Sequence, residues 1–211
     1  MTLGRAWDLL LGRAPLDEAK RFATEGGPVL LHLSDTPSQI YPELRRVIAA
    51  VRPTYIVHTG DLVDNLKLEL RPSLARRYDH ELKQLRAIAD GSGARRVIFV
   101  LGNHDSPESP SLKPGPVELI SEGGHETLEG REIFFSHYPP AGERLAAIPE
   151  GGFWLYGHDP SAPSRRESGR TALNGLEAMH VINLSSGRYI AVAYPSGTDR
   201  ARTMPARIGI G

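Results

Sequence analysis

Five short apolar runs in this chain lead straight into side chains that carry oxygen or imidazole donors. The run 29–33 leads into Ser34 and Asp35, the run 55–57 into Gly60 and Asp61, and the run 97–101 into Gly102, Asn103, His104 and Asp105. The run 133–135 leads into Ser136 and His137, and the run 153–156 into Gly157 and His158. Carboxylate, amide and imidazole groups are the ligands of hard and borderline divalent cations. Cysteine is absent, so disulfides and thiolate ligands are excluded. One such coincidence would mean little, but five in 211 residues point to a metal site.

The apolar runs are β-branched and aromatic, which is the signature of buried strands. Strand ends of open α/β sheets are where side chains leave the core and meet a ligand in a crevice. Between the runs, 41–51 reads as a helix with Leu44, Val47 and Ile48 on one face. Residues 72–90 read as a second, amphipathic helix with Leu74, Tyr78, Leu82, Leu85 and Ile88 at helical spacing. A β-α-β-α-β order implies a parallel sheet with crossover helices. The second half reads differently: a loop at 106–116, strands near 117–121, 125–129, 131–136, 153–156, 178–184 and 188–194, and one short helix near 141–147. The expectation is a four-layer α/β/β/α sandwich of two stacked mixed sheets. Its divisions are an N-terminal helical arm (1–27), one domain (28–197) and a C-terminal tail (198–211) that reads as a loosely held extension.

Hydrophobic residues are 40%, charged residues 24% and formal net charge +0, an ordinary composition for a single globular domain. Neutral charge and no evident basic stripe argue against nucleic acid as a partner. Leu9-Leu10-Leu11 is too short for a signal peptide or a membrane span, so no membrane partner and a cytoplasmic location are expected. In the N-terminal arm, Trp7, Leu10, Leu11 and Phe22 either cover the domain's own core or pair with a second copy as a homo-oligomer.

Taken in order, the strand-end motifs resemble those of the calcineurin-like metallophosphoesterase family over residues 29–194. They are Asp35-Thr36-Pro37, Gly60-Asp61, Gly102-Asn103-His104-Asp105, Ser136-His137 and Gly157-His158-Asp159-Pro160. Gly-Asn-His-Asp after a buried strand is the most specific of them. The resemblance implies a two-metal site, with Asp35 on the first metal, Asn103, His137 and His158 on the second, and Asp61 bridging. It further implies that His104 contacts the phosphate or protonates the leaving group, with Asp105 orienting its ring. Two cations about 3.5–4 Å apart would clamp the attacking and leaving oxygens of a phosphoryl displacement. The implied activity is hydrolysis of a phosphodiester or small phosphomonoester by attack of metal-bound hydroxide. Manganese, iron, zinc or a similar divalent ion suits the nitrogen–oxygen donor set.

The chain departs from that pattern twice: Pro37 and Pro160 stand where the family has histidines of the first metal. One metal is therefore expected to be firmly held and a second is left open. Asp64 and Asp159 lie on nearby loops as substitutes, whereas His32 and His58 sit at odd spacing from Asp35 and Asp61 and face away. A second reading follows from the same departures, a family member that has lost catalysis and serves as a metal-stabilised binding or scaffold module. His80, His125 and His180 read as structural, and Arg165, Arg166 and Arg170 as solvated loop charge. Tyr138 either lines the site or packs.

Overall fold

The computed structural model of the protein describes residues 13–112 and 115–203. A seven-stranded sheet has the order β1-β12-β11-β2-β3-β4-β5, where β1 is Arg13–Ala14, β2 Val29–Leu33, β3 Tyr55–His58, β4 Arg96–Val100, β5 Val117–Ile120, β11 Met179–Asn183 and β12 Tyr189–Val192. A five-stranded sheet has the order β6-β7-β8-β10-β9, with β6 Gly124–Leu128, β7 Arg131–Phe135, β8 Phe153–Tyr156, β9 Arg165–Glu167 and β10 Arg170–Asn174. Strands β2, β3, β4 and β5 are parallel, and β11 runs antiparallel to β2. In the second sheet β7, β8 and β10 are parallel, and β6 and β9 close its edges antiparallel. Both sheets are therefore mixed.

Period-two alternation builds the layers. Leu31, Leu33, Ile56, Val97 and Phe99 face outward and pack under helices Tyr41–Val51 and Ala75–Asp90 through Leu44, Val47, Leu82 and Leu85. Their neighbours Leu30, Val57, Ile98 and Val100 face inward and meet Ile133, Phe135, Phe153 and Leu155 of the second sheet. The far side of that sheet, with Trp154, Tyr156 and Ala172, is covered by Leu145 of helix Gly142–Ala146 and by Ile148. The result is helix, sheet, sheet, helix.

Three strands differ from the sequence reading, the first being β1, since Arg13–Ala14 pairs in parallel with β12 inside the arm read as helical. β9 and β10 hold Arg165, Arg166 and Arg170, which the sequence places in a loop. β10 is a central strand with one large apolar side chain, Leu173, so its sequence carries little hydrophobic signal. Leu173 and Ala172 enter the two apolar clusters, and the buried Asn174 amide is satisfied by donating from Nδ2 to the carbonyls of Asp159 (2.8 Å) and Ala162 (2.9 Å).

Residues flanking the domain pack on it. Phe22 of helix Leu16–Ala23 is buried in the outer core, while Trp7, Leu10 and Leu11 lie outside the described residues. At the other end, residues expected to be loosely held form helix Thr198–Thr203, whose Arg202 is buried. Among the described residues no helix is long and apolar enough to cross a membrane.

Candidate metal centre

All five donor-bearing strand ends open at one end of the two sheets. Three of the residues there, Asp35 (φ 51°), Asp61 (φ 52°) and His158 (φ 66°), have left-handed backbone, which turns the chain sharply as it leaves the sheet. Asp and His tolerate that region better than most side chains. The glycines of the motifs have a steric reason. A Cβ on Gly102 would strike the carboxylate of Asp61, and one on Gly157 would strike the Ser34 hydroxyl and the Asp35 carboxylate. The loops are then tied to each other, Asp35 N donating to Gly60 O (2.9 Å), Thr36 N to Asp61 O (3.1 Å) and Gly157 N to His137 O (2.9 Å).

Asp61, Asn103, His137 and His158 converge on one point. His137 is buried and its Nδ1 is 2.8 Å from Thr59 O. A carbonyl can only accept, so Nδ1 carries the proton and Nε2 presents its lone pair. Asn103 is fixed by the same logic, its Nδ2 donating to Glu69 Oε2 (2.8 Å) so that Oδ1 points inward. His137 Nε2 thus lies 3.0 Å from Asn103 Oδ1, 3.2 Å from His158 Nδ1 and 3.7 Å from Asp61 Oδ1. With His137 Nδ1 carrying the proton, its Nε2 and Asn103 Oδ1 face each other as lone pairs, an arrangement that a cation between them stabilises. Nitrogen ligands about 2.0–2.1 Å from a tetrahedral ion sit roughly 3.3 Å apart, which is the spacing seen here. The donor set fits a divalent cation.

A second lobe shares Asp61 with the first. It brings Asp64 and His104 within ligand distance of Asp61. Burial, reinforced by Asp35, Asp105 and Asp64, pushes the Asp61 carboxyl up to about 9. Burial and Asp35 push Asp64 up to about 7, against the opposing pull of Lys67. Crowded buried carboxylates of this kind are short of positive charge. Asp64 N donates to Thr36 O (3.1 Å), which holds this loop against Asp35's own loop.

His104 stands at the rim, with Nε2 4.0 Å from Asp61 Oδ2 and Nδ1 3.2 Å from Glu69 Oε2. Burial, with Lys67 the next cause, lowers its imidazole to about 4. Asp105 is turned away from His104's ring. Its carboxylate accepts from Gly102 N (2.8 Å), Leu62 N (2.9 Å) and the Tyr78 hydroxyl (2.7 Å), so what it holds is backbone and not the imidazole. Asp35 lies beside the centre with Oδ2 accepting from His158 N (3.2 Å). Of the two substitutes read in the sequence, Asp64 reaches the site. Asp159 does not, its Oδ1 capping Ser161 N (2.8 Å) and Ser161 Oγ (2.6 Å). His32 and His58 face away and bind Thr59 Oγ1 (3.0 Å) and Thr36 Oγ1 (2.9 Å). Tyr138 is 52% exposed and lies edge-on to His158, with ring centres 4.4 Å apart. Sequence reasoning missed Lys67 and Glu69. Their spacing after Asp61 and Asp64 was visible, but the turn that aims all four side chains at one place was not.

Fold and site together define a two-sheet α/β sandwich with a candidate cation centre at its strand ends. The family model described as calcineurin-like phosphoesterase matches residues 28–171, and the chain belongs to that family. Solved structures share the fold. An archaeal phosphodiesterase is 13% identical, over 78% of this chain and 98% of that one, with a TM-score of 0.50. Yfce, a phosphoesterase from E. coli, is 19% identical, over 78% of this chain and 100% of that one, also at 0.50. A further solved chain is 12% identical, over 81% of this chain and 100% of that one, at 0.60. No curated protein matches the sequence.

Proposed function

We propose that the protein is a metal-dependent phosphoesterase that hydrolyses a phosphodiester or a small phosphomonoester. The observation behind this reading is the convergence of acceptor atoms from Asp61, Asn103, His137 and His158 beside His104, in a chain of this family. Those four residues would hold the cation, and Asp35 and Asp64 form its acidic flank. A bound divalent ion supplies a Lewis acid for the phosphoryl oxygens and lowers the pKa of water it coordinates. Manganese, iron and zinc all suit the donor set.

The chain's own residues supply the rest. Burial, with Lys67 the next cause, favours the neutral ring of His104, and Nδ1 faces the Glu69 carboxylate (3.2 Å), which leaves Nε2 as the nitrogen that meets substrate. An arriving phosphate anion raises its proton affinity, which favours uptake of a proton and so populates the imidazolium, the form that can pass a proton to the leaving oxygen. Asp105 keeps the backbone of Gly102 and Leu62 in place, and so fixes where Asn103 and His104 sit. The exposed ring of Tyr138 forms one wall of a site open to solvent, which suits a small ester.

Elemental analysis of the purified protein, paired with hydrolysis of bis(p-nitrophenyl) phosphate, tests this reading. Stoichiometric metal and turnover stimulated by Mn²⁺ are expected. No turnover with Mn²⁺, Fe²⁺ or Zn²⁺ would overturn it.

A further inference from the structure

The two lobes that share Asp61 are not equivalent. The lobe of Asn103, His137 and His158 gathers an amide oxygen and imidazole nitrogens with no lysine or arginine among them, a donor set open to a cation. The lobe of Asp64 and His104 already contains a cation, because Lys67 Nζ contacts Asp64 Oδ1 in an ion pair. Asp64 is buried at 3% of its side-chain surface and Lys67 is partly open at 29%, so the ammonium forms the solvent-facing cap of a buried carboxylate. Its field also reaches the rings of His104 and His158, which border the two lobes.

Lys67 is not a free surface lysine that happens to fold over. The segment after Asp61 is pinned to the outer core by Leu62, Val63, Leu66 and Leu68. Between those anchors Asn65 Oδ1 accepts from Ser38 N (2.8 Å), and Lys67 O accepts from Leu70 N (3.1 Å) and Arg71 N (3.0 Å). The main chain of Lys67 is therefore held on both sides, and little backbone entropy remains to be lost when its ammonium engages a ligand. In the same chain, the sequence has Pro37 and Pro160, which offer no side-chain ligand, next to Asp35 and His158.

We propose that Lys67 takes the place of a second metal ion: the protein binds one divalent cation, through Asp61, Asn103, His137 and His158, and the Lys67 ammonium contacts the phosphoryl oxygens from the Asp64 side. The phosphate contact rests on the phosphoesterase reading, whereas the single-metal stoichiometry does not. An ammonium offers three donors and a compact charge, which suits a phosphate bridging from the metal. It cannot activate water as a second metal would, so catalysis rests on one metal and His104.

The test compares wild type with Lys67→Met and Lys67→Gln, each checked for native circular dichroism and thermal melting. Mn²⁺ stoichiometry is measured by calorimetry and elemental analysis, and inorganic phosphate affinity is measured on the Mn²⁺-loaded proteins. The wild type should bind one Mn²⁺. Either variant should bind phosphate at least tenfold more weakly and admit a second Mn²⁺ into the freed carboxylate lobe. Two tight Mn²⁺ in wild type, or phosphate affinity unchanged in both variants, would overturn the proposal. If wild type binds one Mn²⁺ and phosphate through Lys67 but hydrolyses no ester, the function reading fails and the role of Lys67 stands.

Discussion

At the residue scale, the candidate centre is made by hydrogen bonds that fix which atom of each donor side chain faces inward. Thr59 O sets the His137 tautomer, and Glu69 sets the Asn103 amide. His137→Ala or His158→Ala should strip the bound metal in elemental analysis; full metal content in both would remove them from the ligand set. Glu69→Ala frees Asn103 to flip and should weaken metal affinity by about 10–100-fold, the usual effect of losing such a support. Calorimetry with Mn²⁺ reads it directly. His104→Ala should keep the metal yet lower turnover by about 10²–10³, the range for losing one donor to a developing oxyanion. The motif residues were legible in the sequence because each follows an apolar run. The supporting atoms were not, because Thr59 O is backbone and Glu69 is one exposed carboxylate among many.

Elements act by delivering those residues to one end of two sheets. The left-handed turns at Asp35, Asp61 and His158 each follow a strand, and Gly157 and Gly102 leave room for the Asp35 and Asp61 carboxylates. Beneath the site, β2 and β11 bury His32 and His180 against each other, with rings stacked at 5.4 Å. Burial lowers His180 to about 3, and burial with the nearby His180 lowers His32 well below its ordinary value. A histidine neutral when folded but protonated when unfolded contributes stability that is whole above pH 6.5 and is lost as pH falls toward 3. Each such ring steepens the dependence by up to about 1.4 kcal/mol per pH unit. Urea denaturation of metal-free protein between pH 4.5 and 6 should therefore show a steeper rise with pH for wild type than for His180→Leu. Equal slopes would mean that His180 is protonated in the fold. Most elements were legible, since helix Tyr41–Val51 and strands β2, β3, β4, β7 and β8 carry clear apolar runs or periodicity. β10 was not, because a strand stabilised by Thr171, Asn174 and a single leucine looks like a loop until its neighbours are known.

For the whole molecule, the site draws on chain far beyond the family-matched region. Arg202, outside residues 28–171, is buried and donates from Nε to Asp35 O (2.8 Å), with further bonds to Ser34 O (3.3 Å) and Leu176 O (2.9 Å). Its guanidinium lies 4.5 Å from the centre of the Tyr194 ring, whose hydroxyl donates to Gly175 O (2.8 Å). This clamp holds the turn that presents Asp35. Arg202→Met leaves buried carbonyls without donors and should cost about 2–3 kcal/mol of folding stability. Denaturant midpoints of the metal-free protein measure it, and a change below 0.5 kcal/mol, about the limit for a surface substitution, would mean that the clamp carries no weight.

What the sequence determined by itself was the order of most elements, the sandwich and the donors at the strand ends, with β1, β9 and β10 left unread. Those follow from local rules, because side-chain period and the position of a polar residue after an apolar run are properties of neighbouring residues. Tertiary structure alone decided which donors share a centre, that Asp64 enters it while Asp159 caps a turn, and that Lys67 and Arg202 bring charge to its edges. These depend on loop direction and on contacts such as Arg202 with Asp35, 167 positions apart. No pattern within one stretch of chain encodes a distance of that kind.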